Sequence, residues 1–83
     1  MSAATVTVYG TTWCGFCHMA KQYFSGKGVK YEDIDVEKNR DAAQHIIDKT
    51  GQMGVPVIEI GDKTIIGFDR PRIDAALQEH KLI

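Results

Sequence analysis

The 83-residue chain is sparing with the residues that staple or break a small domain: it has two cysteines, two prolines and one tryptophan. No stretch of apolar residues is long enough to cross a bilayer as a helix. Ten basic and eleven acidic side chains leave a formal net charge of −1, which offers no electrostatic footprint for nucleic acid or an anionic membrane surface. The opening residues Met1-Ser2-Ala3-Ala4-Thr5 lack both a basic region and a long apolar run, so no export signal is read there and a cytoplasmic location is expected. Repeats, low-complexity tracts and linkers are also missing. Residues 1–83 are therefore read as one small domain, with a core too modest to be shared between two.

What is present is concentrated. Both cysteines lie in Thr12-Trp13-Cys14-Gly15-Phe16-Cys17-His18. A bridge across two intervening residues closes too small a loop to constrain much of the unfolded chain, so the pair points to reactivity rather than stapling. In a reducing compartment such a pair is catalytic or metal-binding more often than structural. Zinc usually takes four ligands, and His18, His45 and His80 show no paired ligand spacing. The string also satisfies C-x-x-C-H, the pattern of covalent haem attachment. That chemistry needs an exported chain and a largely helical wrapping, whereas this chain alternates strands and helices.

The alternation is read from periodicity. Residues 4–9 alternate and are rich in Val, Thr and Tyr, which predicts a strand. Phe16, Met19, Ala20, Tyr23 and Phe24 recur at helical spacing from Gly15 to about Ser25, with Gly26 and Gly28 as terminators. Val29, Tyr31, Ile34 and Val36 predict a second strand. Asn39 is placed to cap a helix bearing Ala42, Ala43, Ile46 and Ile47 on one face, stopped by Gly51. Residues 55–60 read as a third strand, and Gly61-Asp62 as a hairpin turn into Lys63-Thr64-Ile65-Ile66. A last helix from about Pro71 carries Ile73, Ala76, Leu77 and His80 along one side. The order is βαβαββα. Two strands joined through a helix should be parallel, with a right-handed crossover, and the last two should form an antiparallel hairpin. The expected fold class is α/β, a four-stranded mixed sheet flanked by helices.

This order puts Cys14 where the first strand ends and the first helix begins. Thiolate is the nucleophile, and an unperturbed cysteine, with a pKa of about 8.5, is mostly protonated at neutral pH. Unpaired N–H groups and the positive end of a helix dipole favour an anion at that point, so Cys14 is expected to titrate toward or below neutrality. Lys21 and His18 add minor positive character. Cys14 is expected to face solvent and Cys17 to be more covered, within the first turn. Cys14 would attack a disulfide, and Cys17 would displace the adduct.

The chain resembles the thioredoxin-fold redoxins, and among them the small glutaredoxin-like proteins. The resemblance covers nearly the whole length. It rests on Cys14-Gly15-Phe16-Cys17 after the first strand, Gly54-Val55-Pro56 opening the third, and Gly67-Phe68-Asp69 after the fourth. It implies a dithiol thiol–disulfide oxidoreductase with Cys14 and Cys17 as catalytic residues, acting on protein disulfides or glutathione mixed disulfides. It implies a cis Pro56 against the active pair and a Val55 whose backbone pairs with the substrate chain. Gly67, Phe68 and Asp69 would receive the carboxylate end of glutathione, with Asp69 either contacting its amino group or capping the last helix. Trp13 and Gly15 are thioredoxin-like features, and Trp13 and Phe16 are able to pack on a partner protein, or else are core residues. No tightly bound cofactor is implied. Glutathione and a flavin-dependent thioredoxin reductase are both candidate electron donors, a monomer is expected, and the potential should fall at about −200 to −270 mV.

Three departures bear on substrate choice. Ile66 replaces the first glycine of the usual pair, Arg70 stands where a second acid is common, and Gly54 replaces a threonine. The Gly-Phe-Asp-Arg-Pro segment resembles the redoxins that reduce ribonucleotide reductase and are recycled by thioredoxin reductase. Monothiol glutaredoxins carry Cys-Gly-Phe-Ser and share an iron–sulfur cluster between subunits. Cys17 in place of that serine opens disulfide chemistry and leaves cluster binding or carriage as the alternative.

Overall fold

A computed structural model describes residues 4–52 and 54–83, so residues 1–3 of the segment read for an export signal lie outside it. Seven elements follow in the expected order: β1 (Val6–Gly10), α1 (Gly15–Gly26), β2 (Glu32–Asp35), α2 (Arg40–Thr50), β3 (Val57–Ile60), β4 (Lys63–Ile66) and α3 (Arg70–Glu79). They build one four-stranded sheet in the order β2-β1-β3-β4. β1 runs parallel to β2, and the β1–β3 and β3–β4 pairs are antiparallel. This is the thioredoxin fold.

Side-chain alternation along the two central strands divides the core. Val6 and Val8 of β1, Ile58 and Ile60 of β3 and Ile65 of β4 pack with Ala20 and Phe24 of α1 and Ile73, Ala76 and Leu77 of α3. The opposite face sends Tyr9 and Val57 against Ala42 and Ile46 of α2. α2 is bounded as its sequence dictates. Asn39 Oδ1 accepts the Ala42 N–H at 3.0 Å, and Gly51 closes the helix in the left-handed region at φ 77°. Beneath α2, Glu59 accepts from Tyr9 Oη at 3.1 Å and from His45 Nε2 at 2.7 Å, which ties helix to sheet through three side chains. Burial, helped by the Glu59 charge, pushes the Tyr9 phenol up to about 12.

Several strand boundaries differ from expectation: the first strand runs Val6–Gly10, not residues 4–9. The second strand begins at Glu32, not Val29. Gly28, at φ 71°, reverses the chain after α1, with the Val29 N–H on the Phe24 carbonyl at 2.9 Å and the Gly28 N–H on that of Ser25 at 3.1 Å. This is the paired bonding of a Schellman helix end, and Val29 is its apolar clasp against the core rather than a strand residue. The third strand begins at Val57, not Val55, because Pro56 has no N–H to give to a ladder. The last helix begins one residue before Pro71, at Arg70, behind an Asp69 cap, and His80 closes it instead of continuing its buried face. His80 reaches Asp62 of the hairpin turn at 3.0 Å.

Candidate active site

Cys14 caps α1. Its backbone is extended (φ −86°, ψ 113°), and its Sγ accepts the Cys17 N–H at 3.1 Å. The sulfur does here what a serine or aspartate oxygen does at other helix starts: it takes one of the N–H groups that have no partner in the first turn. The Cys14 carbonyl accepts the His18 N–H at 3.2 Å, and the Cys14 N–H reaches the Thr11 carbonyl at 3.4 Å, so the loop is tied on both sides of the sulfur. No acidic side chain stands in the first turn of α1, and nothing there opposes negative charge at the sulfur.

One expectation is corrected. Cys14 does not face open solvent: it is 7% exposed, against 1% for Cys17. The capping bond turns its sulfur inward over the first turn. The ranking of the two cysteines is retained, but the difference is small. Both are free thiols.

Burial pushes the Cys17 thiol up to about 11; its hydrogen bond to Cys14 and the Cys14 charge add to this, while the Thr11 N–H and Lys21 pull the other way. Lys21 is itself engaged by Asp33 of the β2 edge at 3.0 Å. His18 Nε2 donates to the Thr12 carbonyl at 2.9 Å, which pins the loop ahead of the cysteines.

The raised Cys17 value has a stability consequence. Above about pH 9 the unfolded chain sheds this proton, while the folded chain keeps it until about pH 11. The unfolded state then binds fewer protons, and stability falls across that window. Reduced wild type should lose on the order of 2 kcal/mol more than Cys17→Ser between pH 8.5 and 11. Thermal melts of the two proteins checked for a widening gap test this, and parallel curves would contradict it.

The flanking residues fall in two groups. Trp13 and Phe16 stand well out of the surface, at 69% and 62% exposed, on either side of Cys14 in sequence. Trp13 is held there, its indole N–H donating to Glu37 at 3.0 Å. Ile66, which pairs with Val57 at the end of β4, is likewise half exposed. Across the site the Val55–Pro56 peptide is cis, and the Pro56 carbonyl accepts the Gly67 N–H at 2.8 Å. Val55 packs partly against the α2-side core, and among the described residues its own N–H and carbonyl take no backbone partner.

The Gly67-Phe68-Asp69 segment is largely spent on structure. The Gly67 N–H goes to Pro56. Phe68 packs edge-on to Tyr23 with ring centroids 5.8 Å apart. Asp69 accepts the Arg72 N–H at 3.4 Å and pairs with Arg72 Nε at 3.3 Å, so it is the cap of α3. The Arg70 guanidinium lies 5.0 Å from the Tyr23 ring centre.

Sequence reasoning missed two residues. Glu37 anchors Trp13 from a loop distant in sequence, and nothing local announces it. Gly10 ends β1 against Cys17: a Cβ there would lie 2.6 Å from the Cys17 sulfur. A glycine closing a strand of β-branched residues was the available signal. Elsewhere, Asp62, Glu79 and His80 bring three ligand-type atoms within 4.8 Å of one another. They sit at the opposite end of the sheet, where Asp62 pairs with His80 at 3.0 Å and Glu79 with Lys63 at 3.7 Å.

A thioredoxin fold with a dithiol at the start of its first helix and a cis-proline loop beside it defines a redox protein of the redoxin class. The Glutaredoxin family model matches residues 6–65, and the chain belongs to that family. Glutaredoxin 3 of Escherichia coli is 33% identical over 66 residues, 80% of each chain. A glutaredoxin-like protein from a rubredoxin operon of Clostridium pasteurianum is 28% identical over 89% of this chain and 99% of its own. Among solved structures, NrdH-redoxin of Escherichia coli superposes with a TM-score of 0.79 at 28% identity, covering 86% of this chain and 92% of that one, and is described as a glutaredoxin-like protein with a thioredoxin-like activity profile.

Proposed function

We propose that the protein is a dithiol thiol–disulfide oxidoreductase that reduces protein disulfides and glutathione mixed disulfides. The observation that carries this is the Cys14 sulfur seated on the Cys17 N–H at the start of α1, with the second thiol one turn further on. Cys14 thiolate attacks one sulfur of the substrate disulfide, forming a mixed disulfide and releasing the other sulfur as a thiolate. Cys17 then loses its proton to the departing base, attacks Cys14 Sγ and expels the second substrate thiol. Two electrons pass to the substrate and an intramolecular Cys14–Cys17 disulfide remains. The high Cys17 value fits a group that stays protonated until the adduct forms.

Substrate binding is assigned to Val55, whose backbone groups take no backbone partner among the described residues and can add a short strand to an incoming chain, and to Trp13 and Phe16, whose exposed rings can pack on a protein surface. The engagement of Asp69 by Arg72 and of the Gly67 N–H by Pro56 favours a polypeptide partner over glutathione as the preferred ligand. The donor is accordingly expected to be thioredoxin reductase rather than glutathione. The oxidised protein should be reduced faster by NADPH with thioredoxin reductase than by millimolar glutathione with glutathione reductase. The opposite order would reverse the donor assignment, and failure with both would overturn the oxidoreductase reading. Protein purified without oxygen should be colourless; visible charge-transfer bands would favour the cluster-binding alternative.

A further inference from the structure

Gly10 leaves a hole that the resolving sulfur occupies. A Cβ built on Gly10 would lie 2.6 Å from Cys17 Sγ and 3.0 Å from Cys17 Cβ, both inside normal contact. Neither backbone is free to withdraw. Gly10 is paired with Asp35 at the end of β1, and its carbonyl accepts the Val36 N–H at 3.0 Å. Cys17 lies in the first turn of a helix anchored by Ala20 and Phe24, both fully buried. The sulfur, the nearer atom, is the terminal atom of a short side chain and the readiest to move, while the Cys17 Cβ contact at 3.0 Å needs a further small shift.

From this we infer that Gly10 is the positioning residue for Cys17: the missing side chain lets the resolving sulfur sit recessed and covered against the end of β1 until Cys14 carries an adduct. The inference rests on the oxidoreductase reading for its meaning and on the packing alone for its geometry. Gly10→Ala should push the sulfur out of its seat toward the Cys14 side. The reduced state loses that seat. The disulfide, in which Cys14 already holds the sulfur, loses less. The variant should therefore favour its disulfide form relative to wild type.

The test uses the full chain and two readouts, each compared with a control, Leu77→Ala, a core truncation in α3 that destabilises the fold without altering position 10 or 17. In a Cys14→Ser background, where Cys17 is the sole thiol, iodoacetamide alkylation at pH 8 should speed up about tenfold or more on adding Gly10→Ala, with the midpoint of its pH profile moving down. In the two-cysteine protein, the exchange equilibrium with dithiothreitol should shift about fivefold or more toward the protein disulfide. Unchanged alkylation and an unchanged equilibrium in a folded variant would overturn the assignment. If Gly10→Ala does not fold, the same substitution in a Cys17→Ala background decides: recovery of folding means the clash is with the sulfur, and equal failure means it is not. Wild type that reduces no disulfide would defeat the oxidoreductase reading while leaving these results readable. An active wild type with an indifferent position 10 would defeat only the role given to Gly10.

Discussion

Cys14→Ser should abolish disulfide reduction, and Cys17→Ser should stop turnover at a captured intermediate. A serine can keep the cap, since its oxygen accepts the Cys17 N–H as the sulfur does now at 3.1 Å. The fold should survive, and the loss can be assigned to the nucleophile. A hydroxyl is not ionised at neutral pH and does not exchange with disulfides, so the expected cost is on the order of 10³-fold or more, the equivalent of about 4 kcal/mol in the barrier. Cys17→Ser keeps the attacking sulfur and removes the one that releases it. The protein should accumulate as a mixed disulfide with its substrate, stable until an external thiol is added. Mass spectrometry should show it directly as a mass increase matching the captured thiol. A Cys14→Ser protein with full activity, or a Cys17→Ser protein that turns over protein disulfides normally, would contradict the division of labour.

The second large effect concerns stability. Phe24 is fully buried, sits between Tyr23 and Tyr31 with ring centroids 6.2 Å and 6.0 Å away, and its carbonyl takes the Val29 N–H that closes α1. Phe24→Ala removes the largest fully buried side chain of the α1–α3 face. Core truncations of this kind cost about 3–5 kcal/mol. Native domains have only about 5–15 kcal/mol in total, and short chains lie toward the lower end. With a urea slope of about 1 kcal/mol/M for a small protein, the unfolding midpoint should fall by about 3 M or the folded baseline should vanish. Trp13→Ala, at a side chain 69% exposed, should stay within about 0.5 kcal/mol of wild type. A midpoint moved by less than about 1 M in Phe24→Ala would show that the sheet face does not depend on this ring.

Much of the architecture could be read because its signals are local. Asn39 and Gly51 bound α2 by side-chain and backbone chemistry contained within their own turn. The Gly61-Asp62 turn fixes the β3–β4 register from two residues, and the C-x-x-C spacing puts both thiols in one helical turn. The positions misread or left open turn on bonding geometry within a few residues, which residue types alone do not select. Val29 looks like a strand residue until the Phe24 carbonyl claims its N–H. Cys14 looks solvent-facing until the cap draws its sulfur over the turn. Asp69 fitted two roles in sequence, and the cap on α3 together with the Arg72 pairing is the one its contacts display. The fit of Gly10 against Cys17 joins a strand end to a helix turn and is a matter of ångströms, which a pattern of residue types does not encode.

The central claim is that α1 begins on a sulfur held ready to react while its neighbour is kept protonated. Alkylation of the reduced protein at pH 7, with the two sites resolved by mass spectrometry, tests it most directly. Cys14 should be modified at least tenfold faster than Cys17, whose thiol is pushed up to about 11 by burial. Equal rates at the two sites, or Cys17 reacting first, would contradict the account.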